Sequence, residues 1–293
     1  MAETIDGRKL ARKIFLNLHL EMQQYRQHSC VPGLALVHVG KHPESQIYLR
    51  QKQKIAEELG IRVQLEHLSE QTNVEKIVDV IDRLNRDAMI HGILVQSPLP
   101  NRSQESEIFN HVAAEKDVDG FSAVNLGKLC QGDASGFWPC TPSGVYHMIQ
   151  STGIPIEGKR VVVLGRSLIV GKPMGLILMQ NHSNANATVT FCHSKTRDMV
   201  DIMRQADIVI AAIGSPAFVK ASMVKPGACV IDVGITRVPD PSKRLGYRLQ
   251  GDVDFEAVSQ VADFITPVPG GVGPMTIAML MQNTFKAYQQ QIE

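Results

Sequence analysis

The 293-residue sequence lacks most features that mark secreted, metal-dependent or nucleic-acid-binding proteins. Its five cysteines include no CxxC pair, which is typical of free thiols in a reducing compartment and argues against a zinc site. The ten histidines form no HExxH or other ligand pair beside an acidic cluster, so we expect no catalytic metal. A formal net charge of only +1 provides no extended surface for nucleic acid or an anionic membrane.

Long apolar runs are also missing. No stretch approaches the roughly 18 residues that span a bilayer, and the polar start MAETIDGRKLARK has no apolar segment of a signal peptide. We therefore expect a cytoplasmic protein. The composition, 44% hydrophobic and 20% charged, is that of a globular protein, and the length predicts about two domains with ample core.

Apolar strand-like runs alternate with helical patterns along the chain, which predicts an α/β fold with parallel sheets. In the first half we predict strands over 33–40, 61–68 and 91–96, and helices over 7–27, 45–59 and 73–86. In the second half we predict strands over 159–165, 187–194, 207–214 and 228–235, and helices over 172–183, 197–205 and 273–291. These four later strands are rich in Val and Ile, as expected for strands buried on both faces.

The restart of the pattern predicts two α/β domains with a junction near 139–158. We assign residues 1–139 to the first domain, with residues 274–293 returning to it as a C-terminal helix. Residues 140–273 are assigned to a Rossmann-like domain with a parallel sheet that binds a dinucleotide.

The turn VVVLGRSLIVGKPMG (161–175) follows a predicted strand and opens a helix, the context in which a glycine-rich turn binds a pyrophosphate. It is not GxGxxG: Gly165 suits the tight turn, but Ser167 replaces the second glycine and Gly171 comes late. An ordinary turn without a ligand is the alternative.

The next strand ends in FCHSKTR (191–197), which offers no carboxylate for the ribose 2′-hydroxyl of NAD. Lys195, Arg197 and the Arg166 of the glycine turn suit a 2′-phosphate instead, so the sequence predicts NADP. The alternative is that Lys195 and Arg197 only form a solvated helix start.

A lysine interrupts the apolar stripe of the predicted helix SQIYLRQKQKIAEELG (45–60), for which Ser45 is the expected N-cap and Gly60 the expected stop. Stepping back along the stripe from Ala56 by four residues reaches Lys52 and then Tyr48. The simplest explanation is a long stem that covers apolar surface with its ammonium in water.

Other polar residues make a chemical role for this lysine attractive. Gln96 ends a predicted strand at the carboxyl edge of a parallel sheet, where α/β folds bind ligands. EKDVDGF (115–121) adds Asp117 and Asp119 in a tight turn, although such acids are usually turn formers. If these groups converge, a partly desolvated Lys52 amine exchanges protons near neutral pH.

Nine motifs, taken in their order along residues 33–285, resemble one enzyme family. They are YLRQK, GILVQSPLP, EKDVDGF, PCTPSGV, GRSLIVGKPM, CHSKT, VIDVGI, GDVDF and TPVPGGVGPMTIAML. The set is similar to that of bifunctional methylenetetrahydrofolate dehydrogenase/cyclohydrolase. The resemblance implies NADP-dependent oxidation of 5,10-methylenetetrahydrofolate to the methenyl cation, hydrolysis of that cation to 10-formyltetrahydrofolate, and a homodimer.

The resemblance also implies roles for individual residues. Lys52 is implied to be central to hydrolysis, Tyr48 to orient folate and the lysine, Gln96 to tune Lys52, and Asp119 to hold the amino edge of the pterin. The implied substrate contacts are Tyr48, Lys52, Val95, Gln96, Ser97, Asp119 and a loop from Pro269 through Gly270 and Gly271 to Thr276. The implied cofactor contacts are Gly165, Arg166, Ser167, Ser194 and Ile235.

Two departures from the family pattern concern the substrate side. Ser97 replaces the usual leucine of VQLPLP, beside Gln96, and GKHPES (40–45) replaces a more acidic loop before the tyrosine. Three other readings stay open at this stage: an NAD-dependent dehydrogenase without hydrolysis, a binding protein without turnover, and an unrelated Rossmann dehydrogenase, which would leave the first 140 residues without a role.

Overall fold

The structure is a computed structural model that describes residues 1–25, 30–40, 43–243 and 246–292, without the side chains of 43–46. The strands are β1 (Glu3–Thr4), β2 (Gly33–Val39), β3 (Arg62–Leu68), β4 (Gly92–Val95), β5 (Arg160–Leu164), β6 (Thr188–Cys192), β7 (Ile208–Ala211), β8 (Cys229–Asp232), β9 (Thr236–Pro239), β10 (Tyr247–Gln250) and β11 (Phe264–Ile265). The α-helices are α1 (Gly7–Gln24), α2 (Pro43–Leu59), α3 (Val74–Arg86), α4 (Glu105–His111), α5 (Ala123–Gln131), α6 (Cys140–Ser151), α7 (Gly171–Leu178), α8 (Met199–Met203), α9 (Phe255–Val258) and α10 (Val272–Ile292). Two short 3₁₀ turns, Arg102–Gln104 and Ala221–Met223, complete them.

The chain forms two compact units. The first unit contains Lys13–Cys140 and Ile277–Glu293, and the second contains Met1–Arg12 and Thr141–Thr276. Residues 1–12 therefore belong to the second unit, whereas the sequence pattern assigned them to the first. The reason is β1, whose two residues pair in parallel with β11 at the edge of the second sheet. A strand of two residues carries no periodic signal.

The first unit is built on a parallel sheet of three strands in the order β3-β2-β4. The central strand β2 is buried along its whole length because it has a neighbour on each side. The C-terminal helix α10 packs on this unit, as predicted. Its Tyr288 hydroxyl donates to the Cys30 carbonyl (2.9 Å), and its Gln291 amide donates to the carbonyls of His91 (2.9 Å) and Glu115 (3.1 Å).

The second unit is a Rossmann-like parallel sheet in the order β1-β11-β8-β7-β5-β6. The chain moves from β5 to β6 on one side and then to β7 on the other, so the strand order reverses beside β5. Ligands of open α/β sheets bind at such a reversal, beyond the carboxyl ends of the strands. Of the four strands expected to be buried on both faces, β5, β7 and β8 are largely buried.

The prediction was wrong for β6, which lies at the sheet edge and is mostly exposed, with Phe191 at 40% exposure. Its alternating Thr and apolar residues are the better guide, since alternation is typical of a half-exposed strand. The helix predicted over 172–183 ends at Leu178, because the run QNHSNAN that follows forms turns and includes Asn186 at a φ of 58°.

Several elements were not predicted: α4, α5, α6, α9 and the antiparallel hairpin of β9 and β10. Their sequences are short or rich in glycine and polar residues, so no period emerges over enough residues. In the described part of the chain, none of the helices combines the length and the apolar character that crossing a membrane requires.

Candidate active site

Helix α2 places a lysine in its buried stripe. The helix begins at Pro43, two residues before the expected N-cap Ser45, whose side chain is outside the described set, and it stops before Gly60 at a φ of 85°. Lys52 is only 7% exposed and lies among the buried Leu49 and Ala56. Its ammonium therefore does not extend into water along the surface. A chemical role for this residue stays a prediction that agrees with its burial.

Gln96 meets the buried amine. It follows β4 directly, and its backbone N–H donates to the Val37 carbonyl (2.8 Å), which fixes it at the carboxyl edge of the sheet. Lys52 Nζ donates to Gln96 Oε1 (2.9 Å), while Gln96 Nε2 donates to the Ser97 carbonyl (2.6 Å). Only this orientation of the amide satisfies both partners, because an amine donates and a carbonyl accepts.

The two carboxylates of EKDVDGF have different tasks. Asp117 is buried and accepts from the backbone N–H groups of Gly120 (3.0 Å), Phe121 (3.3 Å) and Ser122 (2.8 Å), and from Asn125 Nδ2 (2.9 Å). It is a turn former whose acceptor sites are used. Asp119 is half-buried, and its charge acts on Lys52 by favouring the protonated amine.

Burial works against charge on both members of this pair. Desolvation lowers the pKa of Lys52 from its ordinary value, and the nearby Asp119 opposes that shift. Desolvation likewise raises the pKa of Asp119 to about 6, opposed by Lys52 and reinforced by Asp117. The two groups therefore titrate as a pair, in which the neutral amine becomes accessible nearer to neutral pH than for a lysine in water.

The glycine turn after β5 closes on a serine. Gly165 has a φ of 121°, where a side chain would also meet the Ala212 carbonyl. Ser167 Oγ accepts from the N–H groups of Val170 (3.1 Å) and Gly171 (3.2 Å), so it caps the start of α7. The serine that replaces the second glycine of GxGxxG therefore stabilises the turn through hydrogen bonds to its side-chain hydroxyl.

Around this turn, the carboxyl edge of the second sheet presents polar groups to solvent. Arg166, Ser194, Lys195 and Arg197 are exposed, and Ile235 is 42% exposed just after β8. These residues follow β5, β6 and β8, whose carboxyl ends share one edge. The set is cationic and hydroxyl-bearing, as a phosphorylated ribose requires.

A buried carboxylate holds the loop after β7 at the same edge. Asp252 accepts from the N–H groups of Ile213 (2.7 Å), Gly214 (3.0 Å) and Ser215 (2.7 Å). Asp232 in turn accepts from the N–H of Asp252 (2.8 Å), and burial raises the pKa of Asp232 to about 7. The loop after β7, beside the predicted cofactor turn, is thus held in place by the buried carboxylates of Asp252 and Asp232.

Comparison with known proteins places this geometry in a family. The tetrahydrofolate dehydrogenase/cyclohydrolase catalytic domain matches residues 5–119, and the NAD(P)-binding domain of the same family matches residues 139–292. The chain belongs to the tetrahydrofolate dehydrogenase/cyclohydrolase family. The bifunctional protein FolD of Exiguobacterium sibiricum is 48% identical over 287 residues, which cover 98% of this chain and 99% of that relative.

Solved structures of the tetrahydrofolate dehydrogenase/cyclohydrolase family share the whole fold. FolD of Campylobacter jejuni matches with a TM-score of 0.92 at 43% identity, covering 99% of each chain. FolD of Trypanosoma brucei, solved with NADP cofactor and inhibitor, matches with a TM-score of 0.93 at 41% identity, covering 100% of this chain and 99% of that one.

In this family member the sequence-predicted residues fall on both units. Tyr48, Lys52, Val95, Gln96, Ser97 and Asp119 are on the first unit. Gly165, Arg166, Ser167, Ser194, Ile235, Pro269, Gly270, Gly271 and Thr276 are on the second. The family resemblance implied a single loop from Pro269 to Thr276. In the structure the segment is only partly a loop, because α10 already begins at Val272. Thr276 is the fifth residue of α10, with its hydroxyl 3.0 Å from the Thr141 hydroxyl.

Two residues near Asp119 were missed by sequence reasoning. The buried Cys140 donates from Sγ to the Val118 carbonyl (3.2 Å), and its pKa is raised well above the ordinary value by burial and by Asp119. Asn283 of α10 donates to the carbonyls of Val118 (2.9 Å) and Trp138 (3.0 Å). The motif PCTPSGV contains Cys140 without indicating a role for it, and only tertiary contacts bring Asn283 to the acidic turn.

The burial of Lys52 predicts that Lys52→Met stabilises the protein. The apolar side chain removes a desolvated amine, which outweighs the lost hydrogen bond to Gln96, so we expect the free energy of unfolding to rise by about 1 kcal/mol near neutral pH. A depressed lysine pKa means that stability is lost as pH falls through the folded-state pKa. The gain from the substitution should therefore be larger near pH 6 than near pH 9.

Urea unfolding at the two pH values measures this effect. Lys54→Met is the matched control, because Lys54 is exposed two residues away on the same helix, and we expect it to change stability by no more than about 0.5 kcal/mol. A Lys52→Met protein that is less stable than the wild type at both pH values would show that the amine is well solvated in the native state.

Proposed function

We propose that the protein oxidises 5,10-methylenetetrahydrofolate to 5,10-methenyltetrahydrofolate with NADP and then hydrolyses the product to 10-formyltetrahydrofolate. It is thus an NADP-dependent dehydrogenase and a cyclohydrolase of one-carbon folate metabolism. The observation that carries the proposal is the buried Lys52 amine held at 2.9 Å by Gln96 Oε1 beside Asp119. Family membership over nearly the whole chain supports both activities.

The carboxyl edge of the second sheet fits NADP. The turn of Gly165, Arg166 and Ser167 lies where α/β folds bind a pyrophosphate, and exposed Ser194 and Lys195 supply the hydroxyl and the cation for a 2′-phosphate. Bound there, NADP would supply the hydride acceptor for oxidation of the one-carbon bridge of the folate. That step needs alignment by the protein rather than an acid or a base, and Ile235 is assigned to this alignment.

Hydrolysis is where the lysine acts. The methenyl group is a cation, so a protonated Lys52 beside it would be repelled, whereas a neutral amine is not. The neutral amine takes one proton from the attacking water as the carbon–oxygen bond forms. It then returns that proton to the folate nitrogen as the carbon–nitrogen bond of the ring breaks, and the adduct hydroxyl loses the second proton to solvent.

The neighbours of Lys52 have supporting roles in this proposal. Gln96 Oε1 accepts a hydrogen bond from one N–H of the amine, so the nitrogen lone pair of Lys52 is left to accept the proton from water. Tyr48, one helical turn before Lys52 on α2, orients the lysine and the folate. Asp119, with a pKa of about 6, is mainly a carboxylate at neutral pH and accepts from the amino edge of the pterin. The remaining proposed substrate contacts are Val95, Ser97, Pro269, Gly270, Gly271 and Thr276.

We also propose a cytoplasmic homodimer. All five cysteines are free thiols, which supports a reducing compartment, and a disulfide in the isolated native protein would contradict it. The edge strand β6, with Phe191 at 40% exposure, supports a partner chain at the edge of the second sheet.

Light scattering measures the assembly directly. We expect a mass of twice 32.2 kDa for the wild type, and a shift toward the monomer when Phe191→Asp places a charge on the β6 edge. A monomeric wild type at micromolar concentration would contradict the homodimer.

The proposed role of Lys52 predicts that Lys52→Met abolishes hydrolysis. We expect a loss of cyclohydrolase kcat of at least about a thousandfold, with a smaller loss of dehydrogenase activity from weaker folate alignment. In the wild type, cyclohydrolase kcat should rise with pH through the lowered pKa of Lys52, since the neutral amine is the active form. Following methenyl-folate and NADPH at two wavelengths separates the steps.

Lys54→Met serves as the control here too, and we expect wild-type rates from it. Methenyl hydrolysis by Lys52→Met at the wild-type rate would contradict the assignment of the proton carrier, although NADPH formation would still establish the dehydrogenase.

The cationic end of β6 predicts that Lys195→Ala selectively weakens binding of NADP. Loss of a charge-assisted contact to the 2′-phosphate should raise the KM for NADP about tenfold and leave the KM for NAD unchanged. Lys243→Ala removes an exposed lysine elsewhere on the same unit and should change neither value. Equal effects of Lys195→Ala on both cofactors would instead indicate a general electrostatic role.

A further inference from the structure

Glu105 anchors the segment that follows β4. Glu105 is the first residue of α4, and its Oε1 accepts from Ser97 Oγ (2.8 Å) and from the Leu99 backbone N–H (2.8 Å). Both donors belong to the SPLP segment directly after Gln96. One carboxylate oxygen therefore fixes the segment through a side chain and through the backbone.

This anchor is connected to the catalytic amine by consecutive hydrogen bonds. The Ser97 carbonyl accepts from Gln96 Nε2 (2.6 Å), and Gln96 Oε1 accepts from Lys52 Nζ (2.9 Å). Glu105 fixes Ser97, Ser97 fixes the Gln96 amide, and the amide fixes the amine. If the Ser97 carbonyl rotates away, Gln96 Nε2 loses its acceptor. The amide is then free to turn, and its oxygen no longer has to point toward Lys52.

We propose that Glu105 and Ser97 are positioning residues of the hydrolytic step, acting on Lys52 through Gln96. The inference rests on the proposed function. Ser97 takes part in both links, because its hydroxyl donates to Glu105 and its carbonyl accepts from Gln96.

The alternative is that Glu105 only stabilises the fold. A double-mutant cycle separates the two, because a residue that acts through Gln96 has nothing left to act on once Gln96 is gone. We expect Glu105→Ala to lower cyclohydrolase kcat about tenfold in the wild type, since misplacing a catalytic group is costly. In a Gln96→Ala background the same substitution should cause no further loss.

Matched variants complete the experiment. Glu105→Gln keeps an oxygen acceptor for Ser97 Oγ and Leu99 N–H and should recover most of the activity. Glu107→Ala removes an exposed acid from the same helix and should leave kcat at the wild-type value. Ser97→Ala, which removes only the hydroxyl, should lower kcat about threefold with the same non-additivity, and it tests the proposal if Glu105→Ala does not fold.

The outcomes distinguish this inference from the proposed function. The positioning role would be overturned if the fold losses in kcat from Glu105→Ala and Gln96→Ala multiplied in the double variant. An unchanged kcat in Glu105→Ala would overturn it too. Neither result would contradict the hydrolytic activity of the wild type. A wild-type protein without cyclohydrolase activity would overturn the proposed function. Thermal unfolding of each variant confirms that the rates compare folded proteins.

Discussion

The hydrogen bond from Lys52 Nζ to Gln96 Oε1 is the interaction on which the proposed chemistry of this protein depends. A buried ammonium is unfavourable unless it is paired, and a buried neutral amine still needs an acceptor for an N–H. Gln96 provides that acceptor without adding a negative charge, so it holds the lysine in place without stabilising its protonated form as a carboxylate would. Burial lowers the pKa of the amine, and the nearby Asp119 opposes that shift.

Carboxylates that collect backbone N–H groups hold the segments around both sites. Asp117 binds three successive N–H groups in the acidic turn, and Asp252 binds three successive N–H groups in the loop after β7. Glu105 does the same for the segment after Gln96 with one N–H and one hydroxyl. Such bonds fix backbone that belongs to no helix or strand, and backbone placed this way supports precise chemistry. In the proposed mechanism, these acids take no part in the reaction but fix the backbone beside the groups that do.

Prediction from sequence succeeded where a local period carried the signal. Apart from the two-residue strands β1 and β11, the strands of both sheets and the long helices were found to within a few residues, because burial on one face imposes a repeat of 2 or about 3.6 residues. It failed for β6, where neighbour order rather than composition sets exposure, and for α5 and α6, whose sequences lack a repeat. The position of Lys52 in an apolar stripe was correct, since the same repeat that identifies a core position identifies an exception to it.

The sequence alone determined the α/β class, the place of Lys52 in an apolar helical stripe, the place of Gln96 at a strand end, and an edge of the second sheet rich in cations and poor in acids. These properties follow from residue type and spacing along one element. Only the tertiary structure decided that Asp117 builds the turn while the charge of Asp119 acts on Lys52. It also decided that Asn283 supports that turn from 164 positions after Asp119, and that Glu3 and Thr4 extend the second sheet. Those outcomes depend on contacts between distant parts of the chain, and a local pattern contains no information about which distant partner a polar group will meet.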